Sequence, residues 1–561
     1  MTDTEGVRWE GETEASPEVS TPTAPAGQEP KYSDATRYLC IGGELDEPFA
    51  LNVIKELFVQ PSRMVAHSYG IDVVPIAKHC LKARRRRGIR DLLLLLLLAV
   101  ELVVFPVLTI ILAAVIFLGR SARRQSSMGG RAAIVLLLLA AFAAAFWVLS
   151  GQSAPLGGSS ISWIGLDRIG FFLVSLVALP VAAVAVCFAE WLMARTLVGA
   201  RLNPHTFDPD EVAVPLPLWV RHRLGVVQDQ QYGNVTTFHM EKSQGDVPFV
   251  GSGSIGRRWS FVLNVSRPGA GPSGELRESA PFSALELHHF VEERVRQAGI
   301  RATAPGLEIS DQVFVAGWYR RPDQPAQPPF PDARMTQGEM ERIIDGPAGS
   351  PRHFRCLRVE WQGHEQIASA FLHLAKEGST LYVEFIPCLQ SPIRGWYKDF
   401  DAFPYASFRE MGDHLARIIR TLPSLLIGSP ERLVRAYWQP YLERLLIERK
   451  ERRARVGAWI MDYGAWTSVR ELGSNPEPKN ALQLFDPDKF VIHPRRYMQL
   501  LDAEKYTKAL EVHILDAIRD FLESRGVDTR ELSARRTAIL DTSTFVAQTQ
   551  GNVVSLGQQE Q

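Results

Sequence analysis

Three long apolar runs constrain this chain more strongly than any other feature of its sequence. They cover residues 92–118, 132–149 and about 169–194, and each contains at least 18 residues with almost no charge. About 20 consecutive apolar residues are enough for a helix to cross the hydrocarbon core of a bilayer. The runs therefore predict three membrane helices within residues 91–195, and with them a multi-pass protein of the cell membrane.

Positive charges cluster on both sides of the first run. The cluster before it contains Lys82, Arg84, Arg85, Arg86, Arg87 and Arg90, and the cluster after it contains Arg120, Arg123, Arg124 and Arg131. Cytoplasmic flanks of membrane helices are enriched in Lys and Arg, which attract anionic headgroups. The clusters predict a cytoplasmic N-terminus and contact between these residues and the anionic inner leaflet.

The first run fits two topologies. Its 27 residues would form a helix of about 40 Å, longer than a core of about 30 Å, and Pro106 lies near its midpoint. If the run crosses once, seven positive charges lie inside and six outside; if it re-enters, twelve lie inside and only Arg168 lies outside. We favour re-entry, which makes the C-terminal region cytoplasmic, while a plain span stays open.

The remaining sequence divides into four segments. Residues 1–36 are acidic and rich in Pro and Thr, which predicts a disordered tail. Residues 37–90 predict a small cytoplasmic helical unit that ends in the basic segment. Residues 203–540 predict a cytoplasmic domain, and residues 541–561 a flexible, β-prone tail.

The cytoplasmic domain has the pattern of an α+β fold with antiparallel strands and C-terminal helices. Strand patterns at residues 353–363, 365–375 and 380–389 follow one another across glycine turns and predict a meander. Helical patterns follow, including an amphipathic one at residues 408–428. Strands followed by helices are typical of the α+β class.

Charge and cysteine content exclude several classes of function. The 62 basic residues balance the 62 acidic ones, whereas a nucleic-acid binder usually shows a basic excess. The five cysteines are widely spaced without a CxxC pair, which argues against a zinc ribbon or a disulfide framework. The sequence predicts no cofactor, no metal and no nucleic-acid partner.

A glycine-rich hexapeptide is the one candidate for ligand chemistry. Gly251, Gly253 and Gly256 have the G-x-G-x-x-G spacing, and Arg257 and Arg258 follow directly. In a dinucleotide-binding fold these glycines open a helix, but here a strand pattern follows. We favour a tight hairpin connection; a phosphate-contacting loop of a membrane-bound nucleotide- or phosphate-handling enzyme is the alternative.

Two further patterns carry weaker alternatives. His288 and His289 are spaced by four residues from Glu292 and Glu293 on one predicted helix, but a catalytic zinc site needs three ligands, so a solvated face is favoured. The final residues, 545–561, combine β-branched residues with Gly and Gln. Such segments can stack between chains, so the tail offers a route to a homo-oligomer, although a frayed end or an edge strand is favoured.

Several blocks of the sequence resemble a known protein family. Residues 37–58, 68–91, 233–254 and 510–540 resemble uncharacterised actinobacterial multi-pass membrane proteins, and the excess of Arg over Lys suits a high-GC genome. This resemblance implies no activity and no catalytic residues. The sequence as a whole therefore predicts a non-catalytic membrane tether for a cytoplasmic interaction or sensory domain, with the bilayer and unidentified proteins as its partners.

Overall fold

The computed structural model describes eleven stretches of the chain: residues 34–104, 164–210, 215–240, 248–269, 279–297, 306–318, 333–346, 351–361, 366–455, 461–474 and 494–541. The predicted apolar run at 132–149, the second half of the first run and nearly all of both predicted tails lie outside these residues.

The N-terminal part is a small helical unit that continues into a long helix. Its elements are α1 (Asp34–Leu45), α2 (Glu47–Ile54), one π-helical turn (Lys55–Val59) and α3 (Val73–Val104). Asp46 caps α2, because its carboxylate accepts a hydrogen bond from the Phe49 amide at 3.2 Å. Apolar residues such as Leu39 and Ile76 are fully buried between these helices.

Two helices connect this unit to a sheet. They are α4 (Ile164–Arg201) and α5 (Leu218–Gln230). The seven strands are β1 (Val235–Phe238), β2 (Ser254–Ile255), β3 (Trp259–Asn264), β4 (Leu307–Ala316), β5 (Arg352–Trp361), β6 (Gln366–Glu377) and β7 (Thr380–Gln390). Their order is β1-β4-β5-β6-β7-β2, and β3 also pairs with β7. The pairs β5–β6 and β6–β7 form the predicted antiparallel meander.

Both faces of the sheet are covered, because alternate residues of each strand point to opposite sides. On one face, Leu357 and Leu372 pack against α6 (Ala284–Gln297) and α13 (Pro494–Ser524). On the other face, Phe354 and Phe371 join a cluster of buried phenylalanines. The N-terminal unit reaches the sheet through the Tyr69 hydroxyl, which donates a hydrogen bond to Gln312 at 2.8 Å.

The remaining helices lie between β4 and β5 or after the last strand of the sheet. They are α7 (Gln337–Asp345), α8 (Asp399–Ala402), α9 (Phe408–Ile427), α10 (Ser429–Leu433), α11 (Gln439–Arg455), α12 (Val469–Gly473) and α14 (Arg530–Asp541). A 3-10 turn (Gly395–Tyr397) precedes α8, and a π-helical turn (Val434–Trp438) joins α10 to α11.

The predicted fold class is wrong in two respects. In the described part of the chain one helix, Val177–Arg201 within α4, is long and apolar enough to cross a membrane, in place of three apolar runs. The described half of the first run belongs to α3, which has 32 residues. The first half of α3 carries the basic cluster and packs in the N-terminal unit. The apolar part of α3 is therefore too short to qualify as a membrane span. The sheet is also mixed, since β1 pairs with β4 in parallel, and the two strands are far enough apart in sequence for a parallel crossover.

Candidate functional site

Helix α4 carries an apolar surface that the described chain covers only in part. The segment Val177–Arg201 has 25 residues, about 38 Å as a helix, which exceeds a bilayer core of about 30 Å. Only 22% of its most apolar window is buried, and Val177 and Val181 are 63% and 60% exposed. A core helix of a soluble domain would instead be mostly buried.

Helix α3 runs antiparallel to α4. Arg86 and Arg90 of α3 lie against Glu190 of α4, and one turn farther along α3, Leu94 packs with Cys187. The outer side of α3 at this level is apolar and exposed, with Leu92, Leu93, Leu96, Val100 and Leu102. Beyond the pair of Arg86 and Glu190, the two antiparallel helices therefore share one apolar surface.

A third helix, α9, lies along α4 as well. Near its start, Glu410 pairs with Arg195 at 3.2 Å, and the His414 ring stacks on Trp191 with 4.3 Å between centroids. Farther along, its apolar residues Ile418, Leu422 and Leu426 pack with Leu94, Ala183 and Cys187 in a single cluster. Helix α9 thus runs antiparallel to α4, and the three helices pack against one another; we call them together the helical layer.

A layer of buried charges lies where α1 of the N-terminal unit meets α3 and α4. The Arg86 guanidinium pairs with Glu44 at 2.6 Å and with Glu190 at 2.9 Å, and Arg90 pairs with Glu190 at 3.3 Å. Buried charges are tolerated when each has an opposite partner. Burial opposes ionisation of Glu44, but hydrogen bonds and charges from His79 and Arg86 lower its pKa below the ordinary value.

The same ionic layer reaches the C-terminal helices. Asp91 of α3 pairs with Arg90 at 3.0 Å and with Arg432 of α10 at 2.9 Å. Helix α10 follows α9 directly, so this pair fixes the corner between α9 and α10 against α3. The ionic layer, defined by Glu44, Arg86, Arg90, Asp91, Glu190 and Arg432, joins four helices at one level.

Aromatic side chains and arginines lie near this level on the outside. The Arg84 guanidinium lies 4.4 Å from the centre of the Tyr437 ring, and the Tyr437 hydroxyl donates a hydrogen bond to the Arg84 carbonyl at 3.0 Å. Trp438 and Tyr441 beside it are exposed. Trp and Tyr are the residues enriched at membrane–water interfaces.

The predicted flanking cations occupy several environments. Arg86, Arg87 and Arg90 are turned inward, and Arg87 donates a hydrogen bond to the Glu44 carbonyl at 2.7 Å. Arg84 lies on Tyr437, Lys82 is half-buried and Arg85 is exposed. The other four, Arg120, Arg123, Arg124 and Arg131, lie outside the described residues. Headgroup contact stays a prediction, for which Arg85 is the exposed candidate within the described part.

The glycine-rich hexapeptide is built into the edge of the sheet. Gly251 and Gly253 have φ values of +94° and +86°, which favour glycine. The Gly251 amide donates to the Glu471 carboxylate at 3.1 Å, and the Gly256 amide donates to the Pro387 carbonyl at 2.7 Å. A bound phosphate would need such backbone amides as its own hydrogen-bond donors. The geometry favours the structural interpretation of the loop, with Arg257 and Arg258 exposed beside it.

A buried charged cluster lies between α6 and the sheet. His353 Nε2 donates to Asp311 at 2.8 Å, Arg355 Nε donates to the same carboxylate at 2.9 Å, and Arg355 also pairs with Glu292. Although burial raises the pKa of Asp311, the bonds from His353 and Arg355 lower it to about 2. Burial, with the nearby His353 and Arg355, lowers the pKa of His288 well below its usual range. These contacts pin α6 to the sheet.

Metal chemistry finds no support in the stretches that the structure describes. No group of three His, Cys, Asp or Glu side chains there is arranged to hold a metal ion. Of the four helical residues considered from sequence, His288 faces the sheet and Glu292 pairs with Arg355. Glu293 accepts a hydrogen bond from Gln297. The pairs at i and i+4 therefore serve packing and the helix surface.

Sequence reasoning did not predict that α9 packs on α4. It assigned residues 408–428 to the cytoplasmic domain, although Met411, Leu415, Ile418 and Leu422 already predict an apolar face. The partner of that face could not be read from sequence, because α4 lies more than 200 residues earlier in the chain.

Comparison with known proteins identifies one family. The family model described as "AbeC-like domain" matches residues 258–557, from just before β3 to beyond α14. Neither a curated protein nor a solved structure matches the chain significantly. Because the matched residues make up more than half of the 561 in the sequence, the chain belongs to the family of proteins with an AbeC-like domain.

Proposed function

We propose that this protein anchors its AbeC-like domain to the cell membrane through α4, and that the domain acts there as a non-catalytic interaction or sensory module. The observation that carries the proposal is the exposed apolar surface of Val177–Arg201, which is long enough to cross a bilayer. Removing such a surface from water is favourable by about 25 cal/mol per Å². Lipid is the environment that provides this benefit on the part of α4 beyond the ionic layer, where Val177 and Val181 are exposed.

Contacts between distant segments support placement of both soluble parts on one side of the membrane. Arg37 of α1 pairs with Asp401 of α8 at 2.5 Å, and Arg432 of α10 pairs with Asp91 of α3 at 2.9 Å. Ion pairs of this length cannot form across a bilayer. The N-terminal unit and the AbeC-like domain therefore share one face, which the basic residues before the first apolar run favour as the cytoplasmic face.

The ionic layer supports a sensory or interaction role. Glu44, Arg86 and Glu190 link the N-terminal unit to α3 and α4, and Asp91 with Arg432 links the same helices to the AbeC-like domain. A partner bound to either soluble part thus acts on helices in contact with the bilayer. The partners remain proteins to be identified, and cross-linking of the full chain in membranes is the way to find them.

Extraction of membranes with alkaline carbonate tests the anchor. We expect the full-length protein to stay in the membrane pellet, and the double variant Val177→Glu/Val181→Glu to move to the supernatant. A charged residue costs up to about 2.5–3.5 kcal/mol of insertion free energy in a membrane helix, with the full cost at the centre of the helix.

A matched control uses an exposed valine of the sheet. Val262 of β3 is also exposed, so Val262→Glu adds the same charge away from α4 and should leave the protein in the pellet. Recovery of the unchanged protein in the carbonate supernatant would contradict the proposed anchor.

A further inference from the structure

We propose that α9, a helix within the AbeC-like match, is itself inserted into the bilayer beside α4, with lipid acyl chains against its outer face. The inference deepens the proposed function and rests on it, because α4 defines the depth of the bilayer. It assigns a lipid-binding surface to the AbeC-like domain, whose helix at this position was expected to belong to a domain outside the membrane.

Packing against α4 sets the depth of α9. Glu190 marks the ionic layer on α4, and Ala183 lies seven residues farther, about 10 Å along the helix. Leu422 shares a cluster with Ala183, so the second half of α9 extends beyond Glu190, and the corner after it returns to the ionic layer at Arg432, which donates a hydrogen bond to the Leu425 carbonyl. Amphipathic helices at a membrane surface bury their apolar face about 5–10 Å into the boundary of headgroups and acyl chains.

The outer face of α9 is apolar and uncovered in the described structure. Phe408 and Ile419 are 92% and 56% exposed, and Leu415 between them is also exposed. Their spacing of seven and four residues places them on one face. Arg409, Arg417 and Arg420 are exposed on the polar side of the same helix, where arginines suit anionic headgroups.

At the corner between α9 and α10, carbonyl groups at the helix end have hydrogen-bond partners, as a lipid environment requires. The Ser429 hydroxyl donates to the Leu426 carbonyl at 2.7 Å, and Arg432 donates to the Leu425 carbonyl at 2.7 Å. The last carbonyls of a helix lack partners within the helix, and in lipid each unsatisfied group costs several kcal/mol. Side chains of the corner satisfy two of them here.

The segment before α9 provides an aromatic edge. Phe403 and Tyr405 are exposed, and Arg195 of α4 donates to the carbonyls of Phe403 and Pro404 at 2.5 Å each. This places the aromatic residues on the near side of the ionic layer, where a headgroup region would lie. Continuity with the apolar surface of α4 and the arginines of α9 favours a bilayer over a protein as the occupant.

Quenching of a fluorophore by lipid tests the inference in the full-length protein. The five cysteines of the chain are buried, so an introduced exposed cysteine can be labelled selectively. We would attach an environment-sensitive fluorophore at Ile419→Cys, at Leu415→Cys as a second variant, at Arg417→Cys as the control on the polar face, and at Val181→Cys on α4. Each protein is reconstituted in phosphatidylcholine–phosphatidylglycerol vesicles with and without doxyl-labelled acyl chains.

We expect quenching at positions 419 and 181 to exceed that at position 417 by about twofold or more, since acyl chains contact only the apolar face. Quenching at position 415 should be weaker, because the neighbouring His414 stacks on Trp191 and so lies level with the ionic layer. Quenching at 181 without quenching at 419 and 415 would overturn the inference and leave the proposed anchor intact. Quenching at 419 and 415 without quenching at 181 would overturn both proposals, because α9 would then contact lipid without α4 beside it in the bilayer. The absence of quenching at all three positions, or equal quenching at 417, would overturn the insertion of α9.

Discussion

The sheet of the AbeC-like domain and the helical layer are both rich in apolar side chains, yet they differ in what covers them. On the sheet, Leu372 is buried by helices on one face, and Phe371 is buried on the opposite face among other phenylalanines, including Phe249. In the helical layer, Leu94 and Ala183 are buried between helices, while Leu96 and Val181 on the same helices are exposed. Composition identifies both regions as apolar, and only the pattern of burial separates a closed core from an exposed apolar surface.

The largest expected effect distinguishes the closed core from the open surface. Phe371→Ala removes a ring that contacts three other phenylalanines, and should cost about 4 kcal/mol of unfolding free energy. Leu96→Ala on the exposed side of α3 should change it by about 0.5 kcal/mol or less. Thermal unfolding in detergent measures both variants; equal losses would remove the distinction between the two regions.

The second effect tests whether the ionic layer holds the two regions together. Glu44→Gln leaves Arg86 and His79 without their buried carboxylate partner, and should cost about 3 kcal/mol. Glu531→Gln, which breaks an exposed pair with Arg535, is the control and should cost about 0.5 kcal/mol or less. If unfolding in urea showed the two variants to be alike, the ionic layer would not join the regions.

A third prediction tests whether the glycine-rich loop is part of the closed core of the sheet. Gly253→Ala should cost about 2–3 kcal/mol, because its φ is positive and the added Cβ would meet the Leu389 carbonyl. At Gly378, also with positive φ, the Cβ would meet open space, so Gly378→Ala should cost about 1 kcal/mol. Thermal unfolding compares the two variants, and unfolding of the unchanged protein should not shift with nucleotides. Stabilisation by a nucleotide that Gly253→Ala abolishes would instead favour the phosphate-binding alternative.

The smallest effect concerns the acid sensitivity of the sheet. The pKa of Asp311 is lowered from 3.8 to about 2 in the folded protein. The carboxylate therefore adds stability above pH of about 4, and that contribution is lost as the pH falls towards 2, by about 2 kcal/mol in all. Urea unfolding between pH 2 and 5 should show a shallower dependence for Asp311→Asn than for the unchanged protein. Parallel pH profiles would show that His353 and Arg355 do not hold this charge.

Local patterns predicted local structure well. The alternation in residues 353–363, 365–375 and 380–389 predicts the meander that β5, β6 and β7 form, since each strand pairs with the next across a short turn. The family match also agrees with the resemblance to an uncharacterised family, while the actinobacterial source stays a prediction.

Features that depend on distant pairs could not be read from the sequence. Glu44, Arg86, Glu190 and Arg432 meet in one layer although hundreds of residues separate the first from the last. The parallel pair β1–β4 and the contact of α9 with α4 depend on tertiary packing in the same way. The basic cluster illustrates the consequence, since a pattern typical of headgroup contact also supplies Arg86 and Arg90 to buried ion pairs.

The accessibility of position 181 tests most directly whether the exposed surface of the helical layer contacts lipid. Full-length Val181→Cys is treated in intact membranes with a water-soluble maleimide, and again after denaturation, with Arg85→Cys as the exposed reference. We predict that position 181 is protected in membranes and reacts fully after denaturation, while position 85 reacts under both conditions. Reaction of position 181 in intact membranes at the rate of position 85 would contradict the account.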